Sequence, residues 1–263
     1  MSVRRSLAKH AAVAAASARQ AFSARGEMVG RVAFYLVFLV IFSRVWTALP
    51  AGAGIADPAS LLWYLAVTEW VLISIPSIQT DLERDVRDGD VATLLPRPIS
   101  YLGSRVSEAL GALFARLVTL GAAGFATAWC LAGGLPADAR GLPWALLVGP
   151  LAAVFGVVAH AAIGLTAVWL HDVTAVYLVW QKAAFVLGGL VLPLTLYPPW
   201  LRAIADVSPF SAFLYGPGRL ALGHDPAATV RTVLMLLAWG TGAALLAAWL
   251  HRRGLRVLDV NGG

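Results

Sequence analysis

The chain has 263 residues, of which 59% are hydrophobic and only 13% charged, about half the charged share of an ordinary soluble domain. That leaves too little polar surface to cover a globule in water, so most of the chain must use the bilayer as its solvent. The formal charge of +6 is scattered along the edges of apolar runs rather than gathered on one polar domain, which argues against a nucleic-acid partner.

The apolar runs are long, continuous and rich in Leu, Ala, Val and Gly, the pattern of helices of roughly 20 residues rather than of short alternating barrel strands. Residues 1–29 come first. They carry Arg4, Arg5, Lys9, Arg19 and Arg25 around an alanine-rich stretch and read as an amphipathic helix lying on the inner leaflet. A cleaved signal peptide is the rival reading, disfavoured because the alanine run is weakly hydrophobic and is closed off by Arg19 and Arg25.

Residues 30–263 then form one transmembrane domain, an all-α fold of six spans at about 32–49, 60–78, 106–132, 144–170, 174–196 and 227–250. The first ends in the turn-rich stretch from Pro50 to Gly54, and the third at Gly133, Gly134, Leu135 and Pro136. A polar segment, 79–105, separates the second and third spans, whereas only His171 and Asp172 separate the fourth and fifth. Tyr197, Pro198, Pro199 and Trp200 stop the fifth span, and His251, Arg252 and Arg253 stop the sixth. Between them, 197–226 is too rich in Pro and Gly to cross the bilayer, yet it carries Leu201, Ile204, Phe210 and Phe213. Short helices dipping into the outer leaflet suit it.

Orientation is set by the count of Lys and Arg on each side. With the N-terminus inside, thirteen fall on the cytoplasmic side (Arg4, Arg5, Lys9, Arg19, Arg25, Arg31, Arg84, Arg87, Arg97, Arg105, Arg252, Arg253, Arg256) and four on the other (Arg140, Arg202, Arg219, Arg231). Both termini are therefore expected in the cytoplasm of a multi-pass protein of the cell membrane, and the even number of spans agrees.

Motifs for chemistry are few. The five histidines are far apart, with no pair at the spacing of helical metal ligands. Cys130 is the one cysteine, so no intrachain disulfide is possible. Neither lysine ends a phosphate-binding loop, since Lys9 precedes His10 and Lys182 precedes Ala183. No catalytic, metal or cofactor site is expected, and any ATP must be bound by another chain. Ionisable residues inside spans, among them Arg44, Glu69, Arg116 and Lys182, each cost about 2.5–3.5 kcal/mol at a helix centre. Arg44 and Glu69 lie at depths that allow them to meet across the first two spans, either as a structural ion pair or in a substrate path. Arg116 and Lys182 lie toward the inner leaflet, either snorkelling or marking an anionic patch in the pathway.

The segment 81–100 is the most informative. Glu83, Arg84, Asp85, Arg87 and Asp88 alternate in charge, as in a helix end protruding into water, and Gly89 is a stop. Val91, Leu94 and Leu95 then give a short apolar face before Pro96, Arg97 and Pro98. An apolar knob ringed by charge suits a groove on a soluble partner, the alternative being an ordinary solvated loop.

This run, with its ending Arg97-Pro98-Ile99-Ser100, resembles the coupling helix of permease subunits of type-2 ABC exporters, the ABC-2 family transporter proteins. Residues 192–223, including Ser208-Pro209-Phe210 and Tyr215-Gly216-Pro217-Gly218-Arg219-Leu220, resemble that family's outer re-entrant hairpin, and the basic N-terminal segment its interfacial helix. The resemblance implies a half-transporter pairing with a second copy or a related permease. A separate cytoplasmic ABC ATPase, which holds ATP and Mg, would dock on Glu83, Arg84, Asp85, Arg87, Asp88, Gly89, Leu94, Leu95 and Arg97. It also implies a pathway lined by the first, second and fifth spans, which brings Glu69 and Lys182 forward, and the hydrophobic character of that region favours an amphiphilic or lipid-like exported substrate. The minimal loop between the fourth and fifth spans departs from the pattern and leaves little for a second coupling contact. The rival is an ATP-independent secondary transporter or a lipid-binding scaffold, against which stands the absence of an evident inverted repeat.

Overall fold

The computed structural model describes residues 3–48, 57–91 and 100–261, and no β-strand occurs among them. The elements are α1 (Val3–Ser23), α2 (Arg25–Thr47), α3 (Pro58–Ser74), α4 (Ile78–Arg87), α5 (Tyr101–Ala132), α6 (Leu142–Leu165), α7 (Thr174–Leu187), α8 (Pro199–Val207) and α9 (Pro226–Asn261), with one-turn helical pieces between them. Residues 92–99, which hold Leu94, Leu95 and Arg97, lie outside the described residues.

Among the described residues, five helical stretches are long and apolar enough to cross a membrane: Arg25–Thr47, Pro58–Arg87, Tyr101–Ala132, Ala139–Leu170 and Pro226–Val257. The chain is thus a multi-pass membrane protein. The expected fifth span differs from the rest. Its helix α7 has only 14 residues, a rise of about 21 Å against a hydrocarbon core of about 30 Å. The chain breaks at Gly188 and Gly189, the latter at φ 62°, where a residue with a Cβ is strained. Backbone freed inside a bilayer must find partners, and here α3 supplies them. Tyr64 donates its hydroxyl to the Gly189 carbonyl, and Thr68 Oγ1 donates to Leu190 O at 2.8 Å.

The other boundaries have equally local causes. Asp57 caps α3, its carboxylate accepting from Ser60 N at 3.1 Å. Replacing it with Ala should cost about 1 kcal/mol, the usual worth of such a cap, read as a small thermal-shift loss in detergent. Pro76 has no N–H to give and pushes Ile75 into extended backbone, with ψ 125°. The expected second span, 60–78, is therefore α3 and the bend at Ile75–Pro76–Ser77, and α4 runs on beyond it from Ile78. Gly89, at φ 76°, comes just after the end of α4. Gly133 closes α5 in the left-handed region at φ 73°, and Gly134 N donates to Trp129 O at 3.1 Å, the Schellman closure.

Two boundaries correct the sequence reading. α2 begins at Arg25 rather than 32, because Glu27 and Arg31 pair one turn apart and keep the polar start helical. α9 continues to Asn261 through His251, Arg252 and Arg253, since charge ends an apolar span without ending a helix.

α3 and α6 form the centre. From Leu61 to Val71 every residue of α3 is buried. α6 presents Ala152, Ala153, Gly156, Ala159, Ala162 and Gly164 to its neighbours, and such small residues let helix backbones approach closely. A Cβ on Gly164 would lie 2.8 Å from Gln79 Cα and 2.9 Å from Leu82 Cβ, so this glycine is what lets α4 lie against α6. α1 runs along the start of α5, with Gly111 against the Ala14 backbone. α2 and α9 expose apolar faces that include Phe34, Val37, Ile41, Leu234 and Leu245.

Between α8 and α9, the π-turn Ser211–Tyr215 and the helical turn Gly216–Arg219 bury Phe213, Leu214 and Gly218 against α3 and α6. At this end Asp138 is held down to about 2 by Arg140, whose guanidinium and backbone N–H both reach its carboxylate. Asp225 is lowered by the Ala228 N–H at the start of α9.

Candidate functional site

A chamber of about 490 Å³ lies between α2 and α7 with α3 at its back, within the size range of small-molecule sites. From α2 come Phe34, Phe38 and Phe42 at helical i,i+4 spacing, with ring centroids 5.9 and 4.7 Å apart in turn. Tyr177, Trp180 and Phe185 face them from α7. Three buried polar side chains also line it: Glu69 from α3, Gln79 from α4 and His160 from α6, exposed by only 3%, 4% and 5%. Gln79 Oε1 and His160 Nδ1 have no hydrogen-bond partner, and no hydrogen bond or ion pair reaches Glu69 among the described residues. Buried polar groups are nearly always paired. Three unpaired ones around one chamber therefore point to a ligand or to water.

The end of the chamber nearest α4 is closed by a charge clamp on the α3–α4 bend. Glu27 Oε1 accepts from Arg31 Nε at 2.9 Å and from Arg116 Nη2 at 2.6 Å. The same arginines reach the backbone of the bend, Arg31 Nη1 to Ile73 O and Arg116 Nη1 to Ile75 O, each at 3.2 Å. Pro76 leaves these carbonyls short of their helical donors, and the guanidinium groups supply the missing hydrogen bonds. Beyond the clamp opens a second, more polar cavity of about 690 Å³ between α1, α4 and α5; the two cavities share Arg31, Pro76 and Ser77.

α4 itself is fixed by a buried pair. Arg105 holds Asp85 with two bonds, Nε to Oδ2 at 2.7 Å and Nη2 to Oδ1 at 2.6 Å, and Tyr101 donates its hydroxyl to Oδ2 at 2.8 Å. On the open side of the helix, Arg84 pairs with Asp81 at 3.9 Å, and Arg87 pairs with Glu83 at 3.7 Å and with Asp88 at 3.8 Å. A helix held from one side and charged on the other precedes the segment 92–99. Residues 29–262 match the family model described as ABC-2 family transporter protein. The chain belongs to that family. No individual curated protein matches it.

The permease thus places the residues singled out in its sequence in three ways. Arg84, Arg87 and Asp88 lie on the exposed side of α4 or just past its end, while Asp85 points inward and ties α4 to α5. Glu69 lines the chamber, but it does not meet Arg44: Arg44 is exposed on α2, and no ion pair joins them. The residues of α2 that bond α3 are Arg31, in the clamp, and Tyr35, whose hydroxyl donates to Ala66 O at 2.5 Å. Arg116 is buried in the clamp rather than snorkelling, and Lys182 is exposed, its Nζ 5.3 Å from the Phe185 ring centre. Cys130 is exposed on α5. The sequence reading missed Glu27, Gln79 and His160. The Glu27–Arg116 contact spans 89 positions, a separation at which no local pattern signals a pair.

Proposed function

We propose that this permease is the membrane half of an ATP-driven exporter, with α4 and the segment after it receiving a separate ATPase that holds the ATP and Mg, and with the chamber as its half of the substrate path. The observation that carries the reading is the continuity of parts. The helix expected to dock the ATPase joins, through one proline bend, the wall of a chamber built by the first, second and fifth apolar segments. Movement of α4 has a direct mechanical route to the cavity.

In this reading the basic end faces the cytoplasm of the cell membrane and α1 lies on the inner leaflet. α7 with its broken extension serves as a sixth span, and the buried turns after α8 act as a re-entrant cap on the outer side. Two such subunits, identical or related, pair through exposed apolar helix faces, so that two chambers face one pathway. ATP hydrolysis belongs to the partner chain.

The test is co-purification of the permease with a candidate ABC ATPase from the same cell, and then ATP-dependent transport in vesicles. Leu94→Asp and Arg87→Glu are expected to abolish or sharply weaken the complex while the permease alone keeps its thermal stability. Normal assembly and transport in both variants would remove α4 and its extension as the dock.

A further inference from the structure

We propose that the chamber binds amphiphilic organic cations, with Glu69 as the counter-charge and the facing aromatic walls as the cradle. The assignment rests on the reading of the chamber as part of the transport path and adds the chemical class of its occupant.

The argument starts from charge. Glu69 is the chamber's uncompensated ionisable group: it is 3% exposed and has neither a hydrogen-bond donor nor a basic partner among the described residues. Arg31, the one arginine or lysine of the lining, is engaged by Glu27 at 2.9 Å and by Ile73 O at 3.2 Å. Lys182 is exposed and does not line the chamber. A carboxylate buried without a partner is costly, and a cationic ligand removes that cost where an anionic one would add to it.

The walls select the rest of the ligand. Phe34, Phe38 and Phe42 stand against Tyr177, Trp180 and Phe185. Aromatic faces attract cations, and the attraction grows in a desolvated site. His160 meets Tyr177 and Trp180 edge-on, with centroids 5.2 and 6.3 Å away, which fixes the rings of the α7 wall. A small metal ion is poorly served here, because no group of three or more His, Cys, Asp or Glu is placed to hold one among the described residues. A lipid acyl chain uses the aromatic walls but leaves Glu69, Gln79 Oε1 and His160 Nδ1 unanswered. A body of apolar surface around one positive centre satisfies both the walls and the carboxylate.

Tetraphenylphosphonium and tetraphenylborate isolate the charge, because they share size and shape and differ in sign. Binding of each to the purified full-length permease is measured by titration calorimetry, without ATP or partner. The phosphonium is expected to bind at least about tenfold more tightly than the borate, and Glu69→Gln to weaken the phosphonium by about tenfold or more while sparing the borate. Trp180→Ala is expected to weaken both.

Equal affinity of the wild-type protein for the two probes overturns the assignment and leaves an apolar chamber indifferent to charge; this comparison needs no variant to fold. Phosphonium binding unchanged by Glu69→Gln overturns it as well. Efflux of the phosphonium from vesicles holding the complete transporter is scored separately. Glu69-dependent binding without ATP-driven efflux supports the cation site and sinks the pathway reading alone.

Discussion

Replacing Arg105 with methionine is expected to lower the stability of the purified permease by about 3 kcal/mol, the low end of the range for breaking a buried ion pair by removing one partner. Asp85 has a side chain only 5% exposed, and its carboxylate is met by two guanidinium bonds and the Tyr101 hydroxyl. Taking away Arg105 leaves that carboxylate buried with one neutral donor. The side chain of Arg105 is 26% exposed, so water softens the loss and the lower figure applies. Asp85→Asn should cost less, since the amide keeps an acceptor for Tyr101 and Arg105 retains Glu108 at 2.8 Å. The double substitution should be more stable than Arg105→Met alone, because the stranded charge is gone. Thermal unfolding in detergent reads all three. Additive losses in the double variant would show that the pair contributes no more than two independent surface groups.

The expected consequence reaches the ATPase dock. α4 meets the remainder of the protein through this pair, through Leu82 and Gln79 on Gly164, and through Val86 beside the small apolar cavity it shares with α6 and α9. With Arg105 gone, the helix keeps its apolar seat but loses its charged tether to α5. Assembly with the ATPase should fall with the stability loss and recover in part in the double variant.

How far the sequence reveals this architecture depends on the kind of signal each part carries. Apolar runs and punctuation are local, so the spans, the stop at Gly133 and the end of α4 by Gly89 are readable from composition and from turn chemistry. α7 is not. The run 174–196 has the length and apolarity of a span, and Gly188 and Gly189 look harmless in a bilayer, where glycine is common in helices. What breaks the helix there is tertiary: Tyr64 and Thr68 of α3 stand ready to bond the freed carbonyls. The candidate site divides in the same way. Glu69 stands out because a carboxylate in an apolar run is costly wherever it lies. Gln79 and His160 do not, since one looks like the start of a polar loop and the other like a lone core histidine. Their importance comes from facing the same cavity without partners, a fact of packing. The expected Arg44–Glu69 pair fails for a related reason. Tyr35 and Arg31 of α2 bond Ala66 and Ile73 of α3, so packing sets Glu69 level with residues 31–35, and Arg44 lies more than two turns farther along α2 and is exposed.

Glu27→Ala is expected to uncouple the transporter, cutting ATP-dependent transport at least about tenfold while assembly with the ATPase persists. Glu27 joins two arginines that between them hold two carbonyls of the α3–α4 bend. Without it, Arg31 and Arg116 are like charges side by side, with Arg116 only 9% exposed. Their repulsion would draw at least one of them off the bend. Charge-assisted hydrogen bonds of this kind are worth about 1.5–3 kcal/mol each, enough to shift the preferred angle of a proline bend between two states. The chamber wall and α4 would then move independently, and hydrolysis would continue without transport. Glu27→Asp, shorter by one methylene, should reach one arginine but not both and give an intermediate ratio of transport to ATP hydrolysis. Glu27→Gln keeps the shape but loses the charge, so it should resemble Ala more than Asp. The ratio is measured in proteoliposomes holding the complete complex, with permease thermal stability measured in parallel. A fall in both activities in proportion to stability would reduce Glu27 to a packing residue, whereas a fall in the ratio alone marks the clamp as the part that ties the bend to the chamber.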